Sequence, residues 1–196
     1  SKIMTKSIVD EQYIQGQGLL RYLLKQQELT LWAKAGEYLK KDILLSAASY
    51  FETEISEIII KTAEIHSSKN QLIVSIIKQK AVSRQYHTYF NWDSAKNANS
   101  FFSLFGDDFK VMMQREIATN KSLEESIRAF LQLGQERNKL VHQNYAAITI
   151  DKTVKEIYRL YRKSLLFINI IQENYMHIKK IIVVNNICSN NSSPTP

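Results

Sequence analysis

Hydrophobic residues recur at helical spacing along most of this chain. From about Leu31, the residues of one stripe follow each other at alternating steps of four and three, at Leu44, Ala48, Phe51, Ile55, Ile58, Thr62 and Ile65. These steps lie along one face of an α-helix, so the pattern predicts one long helix that ends at Ser67 and Ser68. A second stripe predicts another long helix, at Val154, Ile157, Tyr161, Leu165, Ile168, Ile171, Tyr175 and Ile178.

Shorter helices are predicted before and after the first long one. The segment from Ser7 to Gln27 predicts a short helix that stops and restarts around Gly16 and Gly18. After the two serines, a further helix is predicted to run to about Val82, with its apolar residues at Leu72, Ile73, Ile76 and Ile77.

Two more helices are predicted in the middle of the chain. Asp107 or Asp108 is expected to cap the first of them, whose apolar face consists of Phe109, Met112, Met113 and Ile117. Ser122 and Glu125 have the spacing of a capping box, which predicts the start of the second. Its apolar stripe comprises Leu123, Ile127, Phe130, Leu131 and Gly134.

The segment from Arg84 to Phe105 loses the helical period and is rich in aromatic residues. It contains Tyr86, Tyr89, Phe90, Trp92, Phe101, Phe102 and Phe105 among polar residues. We interpret it as an ordered connection that its rings attach to the helices, with a turn at Gly106.

Glycine and proline are scarce, which decides the fold class. The 196 residues include 5 Gly and 2 Pro, whereas sheet folds need such residues at their many turns. The sequence therefore predicts an all-α protein, an antiparallel helical bundle with two long helices and several shorter ones. We expect an N-terminal helical appendage over residues 1–30, the bundle over 31–187 and a polar tail over 188–196.

The charge favours polyanionic partners such as nucleic acid. The chain has 26 basic and 19 acidic residues, a net charge of +7. Candidate RNA-binding residues are Lys78, Lys80, Arg84 and Lys139, although a solvated basic face explains them equally well. With one cysteine, no signal-peptide pattern and a most apolar segment broken by polar residues, we expect a cytoplasmic protein with no membrane partner.

The helix that continues through Gly134 ends with polar residues where more apolar ones are expected. Asn138 and His142 are four residues apart, and Arg137 lies about 140° from His142 around an ideal helix. Histidine titrates near neutrality and can move a proton, while the arginine fork matches phosphate oxygens and their developing charge. Asn138 can orient the imidazole or hold a phosphate oxygen. The three residues together suit metal-independent RNA cleavage that leaves a 2′,3′-cyclic phosphate. Because cleavage uses both an acid and a base, and each site has one histidine, we expect a homodimer.

The string Arg137-Asn138-Lys139-Leu140-Val141-His142 resembles the Arg-Asn-x-x-x-His motif of the HEPN superfamily. The stretch from Asn97 to Gly106 is also similar to bacterial HEPN proteins of the RiboL-PSP-associated type. The resemblance implies a helical bundle, dimerisation through the motif helices and a metal-independent endoribonuclease of toxin–antitoxin or anti-phage defence systems. It also implies an RNA substrate and a possible cognate antitoxin or defence partner. Arg137, Asn138 and His142 match the motif and are the candidate catalytic residues.

Other interpretations of these residues stay open. Arg137 and His142 could be a structural cationic helix end, and Asn138 a buried residue that fixes helix register. The domain could also be a non-catalytic HEPN-like module that binds RNA, nucleotides or a protein. Tyr145 resembles a motif-adjacent tyrosine that is modified in some HEPN pairs, but it lies one residue further from the motif, so we favour a packing role. No histidine has metal-site spacing, so we predict no metal site and no cofactor.

Overall fold

The computed structural model of this protein describes residues 6–92, 96–142, 145 and 148–190, with side chains up to residue 174. Within these ranges the chain forms helices and no β-strand. The helices are α1 (Ile8–Lys25), α2 (Leu29–His66), α3 (Gln71–Ile77), α4 (Tyr86–Tyr89), α5 (Asn99–Ser103), α6 (Asp107–Thr119), α7 (Lys121–His142) and α8 (Val154–Asn190), with a π-helical turn at Lys78–Val82. The predicted all-α fold with two long helices is confirmed.

The long helices pack in alternating directions. Helix α7 runs antiparallel to α8, since Ser126 near its start donates to the carbonyl of Lys163 and Glu136 near its end pairs with Lys152. Helices α2 and α8 run in the same direction, and α1 lies antiparallel to both. Helices α1 and α7 are therefore antiparallel to α8, as predicted for the bundle, whereas the two long helices α2 and α8 are parallel to each other.

The core between α2, α7 and α8 is aromatic. Phe51, Phe130 and Phe167, one from each helix, are almost completely buried, and the ring of Phe130 contacts both others. Burying a side chain of this size contributes about 1.5–3 kcal/mol. The predicted stripe of α2 is buried from Leu44 to Ile58, and that of α8 from Val154 to Ile171 except for partly buried Leu165. The side chains of the predicted stripe residues Tyr175 and Ile178, and the last six residues of the tail, lie outside the described part.

Helix α1 is continuous, so the predicted interruption at Gly16 and Gly18 is wrong. A Cβ atom at position 16 would overlap the side chain of Leu39, so the glycine lets α1 approach α2 closely. This packing outweighs the poor helix propensity of glycine, about 1 kcal/mol. Helix α1 also packs on α8, where the rings of Tyr13 and Tyr158 stack with centroids 3.8 Å apart. The domain boundaries at residues 30 and 187 stay a prediction.

Two predicted helix caps are wrong. Helix α6 begins after Gly106, whose φ of 95° favours glycine, and Asp107 and Asp108 lie in its first turn without capping it. Helix α7 begins one residue earlier than the expected capping box, and the side-chain oxygen of Asn120 accepts from the Leu123 amide at 3.1 Å. Ser122 is already helical, so its backbone no longer has the extended conformation of a cap.

The aromatic connection contains the short helices α4 and α5, and its rings are attached to the core as predicted. Tyr86, Tyr89, Phe90, Trp92, Phe101 and Phe102 are all buried. In helix α3, by contrast, most of the predicted apolar residues are not in the core. Val74 is buried, whereas Leu72, Ile73 and Ile76 are exposed. No helix in the described part of the chain is long and apolar enough to cross a membrane.

Candidate functional site

The Arg-Asn-x-x-x-His string occupies the last turns of α7. The helix stays regular through His142, so Arg137 and His142 are about 7.5 Å apart along its axis and about 140° apart around it. Arg137 and Asn138, both half-buried, line one narrow cleft between α7, α2 and the aromatic connection. His142 is exposed one turn beyond Asn138, outside that cleft. The structure thus brings together Arg137 and Asn138 and leaves His142 at the rim.

Gly134 and Trp92 form one wall of this cleft. The indole of Trp92 lies against the backbone of α7, in the space where a Cβ atom at position 134 would be. Trp92 also contacts the rings of Tyr86, Phe90 and Phe130, so the indole is held on several sides. Glycine at position 134 is therefore required for the wall beside Arg137. The sequence showed Gly134 in the apolar stripe but gave no signal that a ring from a distant segment occupies its place.

The floor of the cleft includes Tyr86, which is buried. Burial and the charge of Glu52 raise the pKa of its phenol, and the positive charge of Arg137 lowers it. Glu52, half-buried on α2, and Arg137 on α7 are thus both within electrostatic reach of one hydroxyl. Sequence reasoning assigned Tyr86 to packing and did not place Glu52 at the site. The position of Glu52 directly after the stripe residue Phe51 was the one indication in the sequence that Glu52 lies near the core.

The backbone after the motif is attached to α2 by Lys41. Its ammonium donates to the carbonyl oxygen of Tyr145 at 2.6 Å and lies 4.6 Å from the centroid of the Tyr145 ring. Lys41 is 6% exposed, so this charge is held mainly by the carbonyl and the ring face. Tyr145 is half exposed beneath it. The packing role that the sequence favours for Tyr145 stays a prediction, and its modification stays the alternative. Nothing in the sequence distinguished Lys41 from the other lysines.

The candidate RNA-binding lysines and arginine lie at two places. Lys139 is exposed on α7 and lies 3.7 Å from Glu136, which also accepts from Lys152 at 2.9 Å. Lys78 and Lys80 lie on the π-helical turn and Arg84 follows it, two residues before Tyr86. All three are exposed, and no described residue forms an ion pair with them.

The chemistry available at the end of α7 is proton transfer and anion binding. Within the described ranges, no carboxylate lies within ion-pair distance of Arg137 or His142. The same ranges contain no group of three or more His, Cys, Asp or Glu side chains that could hold a metal ion. An accessible imidazole such as that of His142 can exchange protons with solvent or a ligand, and a guanidinium such as that of Arg137 can hold a phosphate.

Comparison with known proteins agrees with this fold. The model of the RiboL-PSP-HEPN family matches residues 19–177, more than three quarters of the chain, and this span includes all of α7 and its motif. Neither the curated proteins nor the solved structures gave a significant match. HEPN domains serve as ribonucleases or as nucleotide-binding modules. The match over most of the chain, on an all-helical bundle, shows that this protein belongs to the RiboL-PSP-HEPN family.

Proposed function

We propose that this protein is a metal-independent endoribonuclease that works as a homodimer, as the effector of a bacterial toxin–antitoxin or anti-phage defence system. The observation that carries the proposal is the end of α7. An imidazole is exposed to solvent there, about 7.5 Å further along the helix axis than a half-buried arginine that has no ion pair with a described carboxylate. A half-buried arginine that served only the fold would be expected to pair with a carboxylate of the protein.

The reaction needs a base, an acid and a charge stabiliser. His142 takes the proton from the ribose 2′-hydroxyl, and the 2′-oxygen attacks the adjacent phosphorus. The bond from phosphorus to the 5′-oxygen breaks, and that oxygen receives a proton from the imidazolium of His142 in a second copy. The products are a 2′,3′-cyclic phosphate and a 5′-hydroxyl. Arg137 stabilises the negative charge that builds on the phosphate oxygens, and Asn138 holds one of those oxygens or orients the imidazole.

The chemistry of the proposed reaction supports the homodimer. One chain supplies a single histidine at this site, whereas the reaction needs a proton acceptor and a proton donor on opposite sides of the phosphate. A twofold axis near the end of α7 would bring two copies of His142 to one substrate. A cellular ribonuclease of this kind needs restraint, which is the role we assign to a cognate antitoxin or defence partner.

A second function is favoured by one observation. His142 lies outside the cleft that Arg137 and Asn138 line, so these two residues could bind a phosphate without any cleavage. The protein would then be a non-catalytic HEPN-like module that binds RNA, a nucleotide or another protein.

The test compares two exposed histidines at different places. His142→Ala should abolish RNA cleavage and cellular toxicity, whereas His66→Ala, at the end of α2, should leave both unchanged. Circular dichroism should give the same helical signal for both variants and for the unaltered protein. Cleavage by the unaltered protein should persist in EDTA and give 2′,3′-cyclic phosphate ends.

Three results would contradict the proposal or a part of it. Cleavage by folded His142→Ala at the normal rate, or loss of cleavage in EDTA, would remove the catalytic assignment. RNA or nucleotide binding without cleavage by the unaltered protein would favour the binding module. Light scattering that shows only monomer, with full activity, would exclude the dimer.

A further inference from the structure

Helices α1 and α2 extend beyond the start of α8 and form a groove there. Along its first half, α1 packs on α8, with Tyr13 stacked on Tyr158 and Asp10 bonded to Arg162. Helix α8 begins at Val154, so no third helix of the described residues covers the later residues of α1 and the first residues of α2. The resulting groove has a volume of about 850 Å³.

The floor of the groove is apolar and includes an exposed indole. Leu20 and Leu24 of α1 face Trp32 and Ala33 of α2 across it. Trp32 is 41% exposed, whereas Trp92, the other tryptophan of the chain, is buried. Exposed aromatic rings in basic grooves provide the surface on which unpaired bases stack, at about 1–3 kcal/mol per base.

The rim of the groove is positively charged. Arg21, Lys34, Lys40 and Lys155 line it, and Glu37 is the one acidic residue among its described lining residues. Glu37 is paired with Lys40, while no described carboxylate forms an ion pair with the other three cations. The groove therefore has a surplus of cations that can be paired with phosphates.

The groove opens at the same end of the bundle as the motif. Lys40, which lines it, donates to the carbonyl oxygen of Ile150 in the connection between α7 and α8. The neighbouring Lys41 holds Tyr145, three residues after His142. A chain lying in the groove would thus continue toward the end of α7.

We propose that this groove binds an unpaired segment of single-stranded RNA, with a base stacked on Trp32 and phosphates paired with Arg21, Lys34 and Lys155. This assignment rests on the proposed function, because a ribonuclease binds RNA rather than another polyanion. The groove then narrows the substrate to single-stranded RNA. The volume lies within the range of about 300–1,000 Å³ of small-ligand sites, which suits one or two nucleotides. A second copy of the chain fits less well, because a twofold contact would bring the same cations together.

The experiment measures binding with a probe that cannot be cleaved. A 2′-O-methyl oligouridylate lacks the attacking 2′-hydroxyl, so anisotropy of its fluorescent label reports binding alone. Trp32→Ala should weaken this binding about 5- to 100-fold, and Lys34→Glu and Lys155→Glu should each weaken it at least about tenfold and reduce its salt dependence. Lys121→Glu, the same charge reversal at the start of α7, should leave it unchanged. In the unaltered protein the probe should quench the fluorescence of the exposed tryptophan, and Trp32→Phe should lose that quenching.

Equal binding by the unaltered protein and by Trp32→Ala and Lys34→Glu would overturn the proposal, as would equal affinity for a duplex of the same length. A change from dimer to monomer in Trp32→Ala, with unchanged RNA binding, would assign the groove to contact between copies and also overturn it. These results are separate from the catalytic assignment. Binding in the groove without any cleavage would contradict the ribonuclease alone, whereas cleavage with normal binding by the groove variants would contradict the groove alone.

Discussion

Two polar clusters of this protein, one around Asp10 and one at the end of α7, differ in how their groups are bonded. The carboxylate of Asp10 accepts from the hydroxyl of Tyr158 at 2.6 Å and from Arg162 at 3.1 Å. It also accepts from the amide and the hydroxyl of Ser7, both at 2.9 Å, which closes the capping box of α1. At the end of α7, by contrast, His142 is exposed, and the charge on Arg137 has no described ion-pair partner.

This difference is the one expected between polar groups that serve the fold and polar groups that serve the proposed function. Burial alone would raise the pKa of Asp10, but the hydrogen bonds from Tyr158, Ser7 and Arg162 lower it below its ordinary value of 3.8. A carboxylate bonded on all sides stabilises the fold and has no capacity left for a ligand. At the end of α7, Arg137 has no described ion-pair partner and His142 is accessible to solvent. Catalysis or ligand binding requires such accessible side chains.

The largest expected effect is on the rate of RNA cleavage, when the arginine of each cluster is changed to lysine. Arg137→Lys should reduce RNA cleavage by about 10²–10³, because lysine keeps the charge but loses the planar fork that holds phosphate. Arg162→Lys should leave the cleavage rate within about twofold, since one ammonium can replace its single bond to Asp10. Initial rates on a labelled RNA measure both. Equal losses in the two variants would remove the functional distinction between the clusters.

The next effect is on the free energy of unfolding, and here the larger loss is expected for the Asp10 cluster. Asp10→Ala should lower the free energy of unfolding by about 2–4 kcal/mol, because it removes a capping box and leaves Tyr158 and Arg162 without their acceptor. Asp108→Ala, in the exposed first turn of α6, should cost about 0.5 kcal/mol. Urea denaturation gives both values. A loss of cleavage per folded molecule in Asp10→Ala would show that the Asp10 cluster also supports the site.

A smaller effect on stability is expected when each of two glycines within helices is changed to alanine. Gly134→Ala should destabilise the protein by about 1–3 kcal/mol and reduce cleavage, because the new methyl group displaces the Trp92 ring from the cleft of Arg137. Gly18→Ala should instead stabilise it by about 0.5–1 kcal/mol, since a Cβ atom there meets nothing within 4 Å. Urea midpoints of the two variants test the pair. Stabilisation by Gly134→Ala would mean that Trp92 is not held against α7.

The smallest effect is a pH dependence. Because the pKa of Asp10 is lowered in the folded state, the unfolded chain takes up the proton first as the pH falls. The contribution of Asp10 is therefore complete above about pH 4 and is lost as the pH falls below that value, through the lowered pKa. The decrease in urea midpoint from about pH 5 to about pH 3 should be smaller in Asp10→Asn than in the unaltered protein. An identical decrease would show that other carboxylates set the acid stability.

The sequence by itself determined the two long helices and the position of the motif. The alternating steps through Leu44 and Ile58 and the stripe from Val154 required two long helices, because the residues that must be buried lie on one face only at helical spacing. Local spacing also placed Arg137, Asn138 and His142 at the end of one helix, since these positions are close in the chain. The same local reasoning failed at the caps, where Ser122 and Asn120 compete for one helix start and the backbone conformation decides.

Only the tertiary structure decided what surrounds the motif. Tyr86, Trp92 and Glu52 come from segments more than 40 residues from Arg137 in the chain, and their approach depends on how α2, α7 and the aromatic connection pack. Lys41 joins Tyr145 from 104 residues away. The groove beside Trp32 exists because α1 and α2 stay in contact beyond the point where α8 begins. The apolar stripes do not show where one helix begins relative to its neighbours. Periodicity states which face of a helix is buried, but which helix covers that face, and where the cover ends, depends on packing between distant segments.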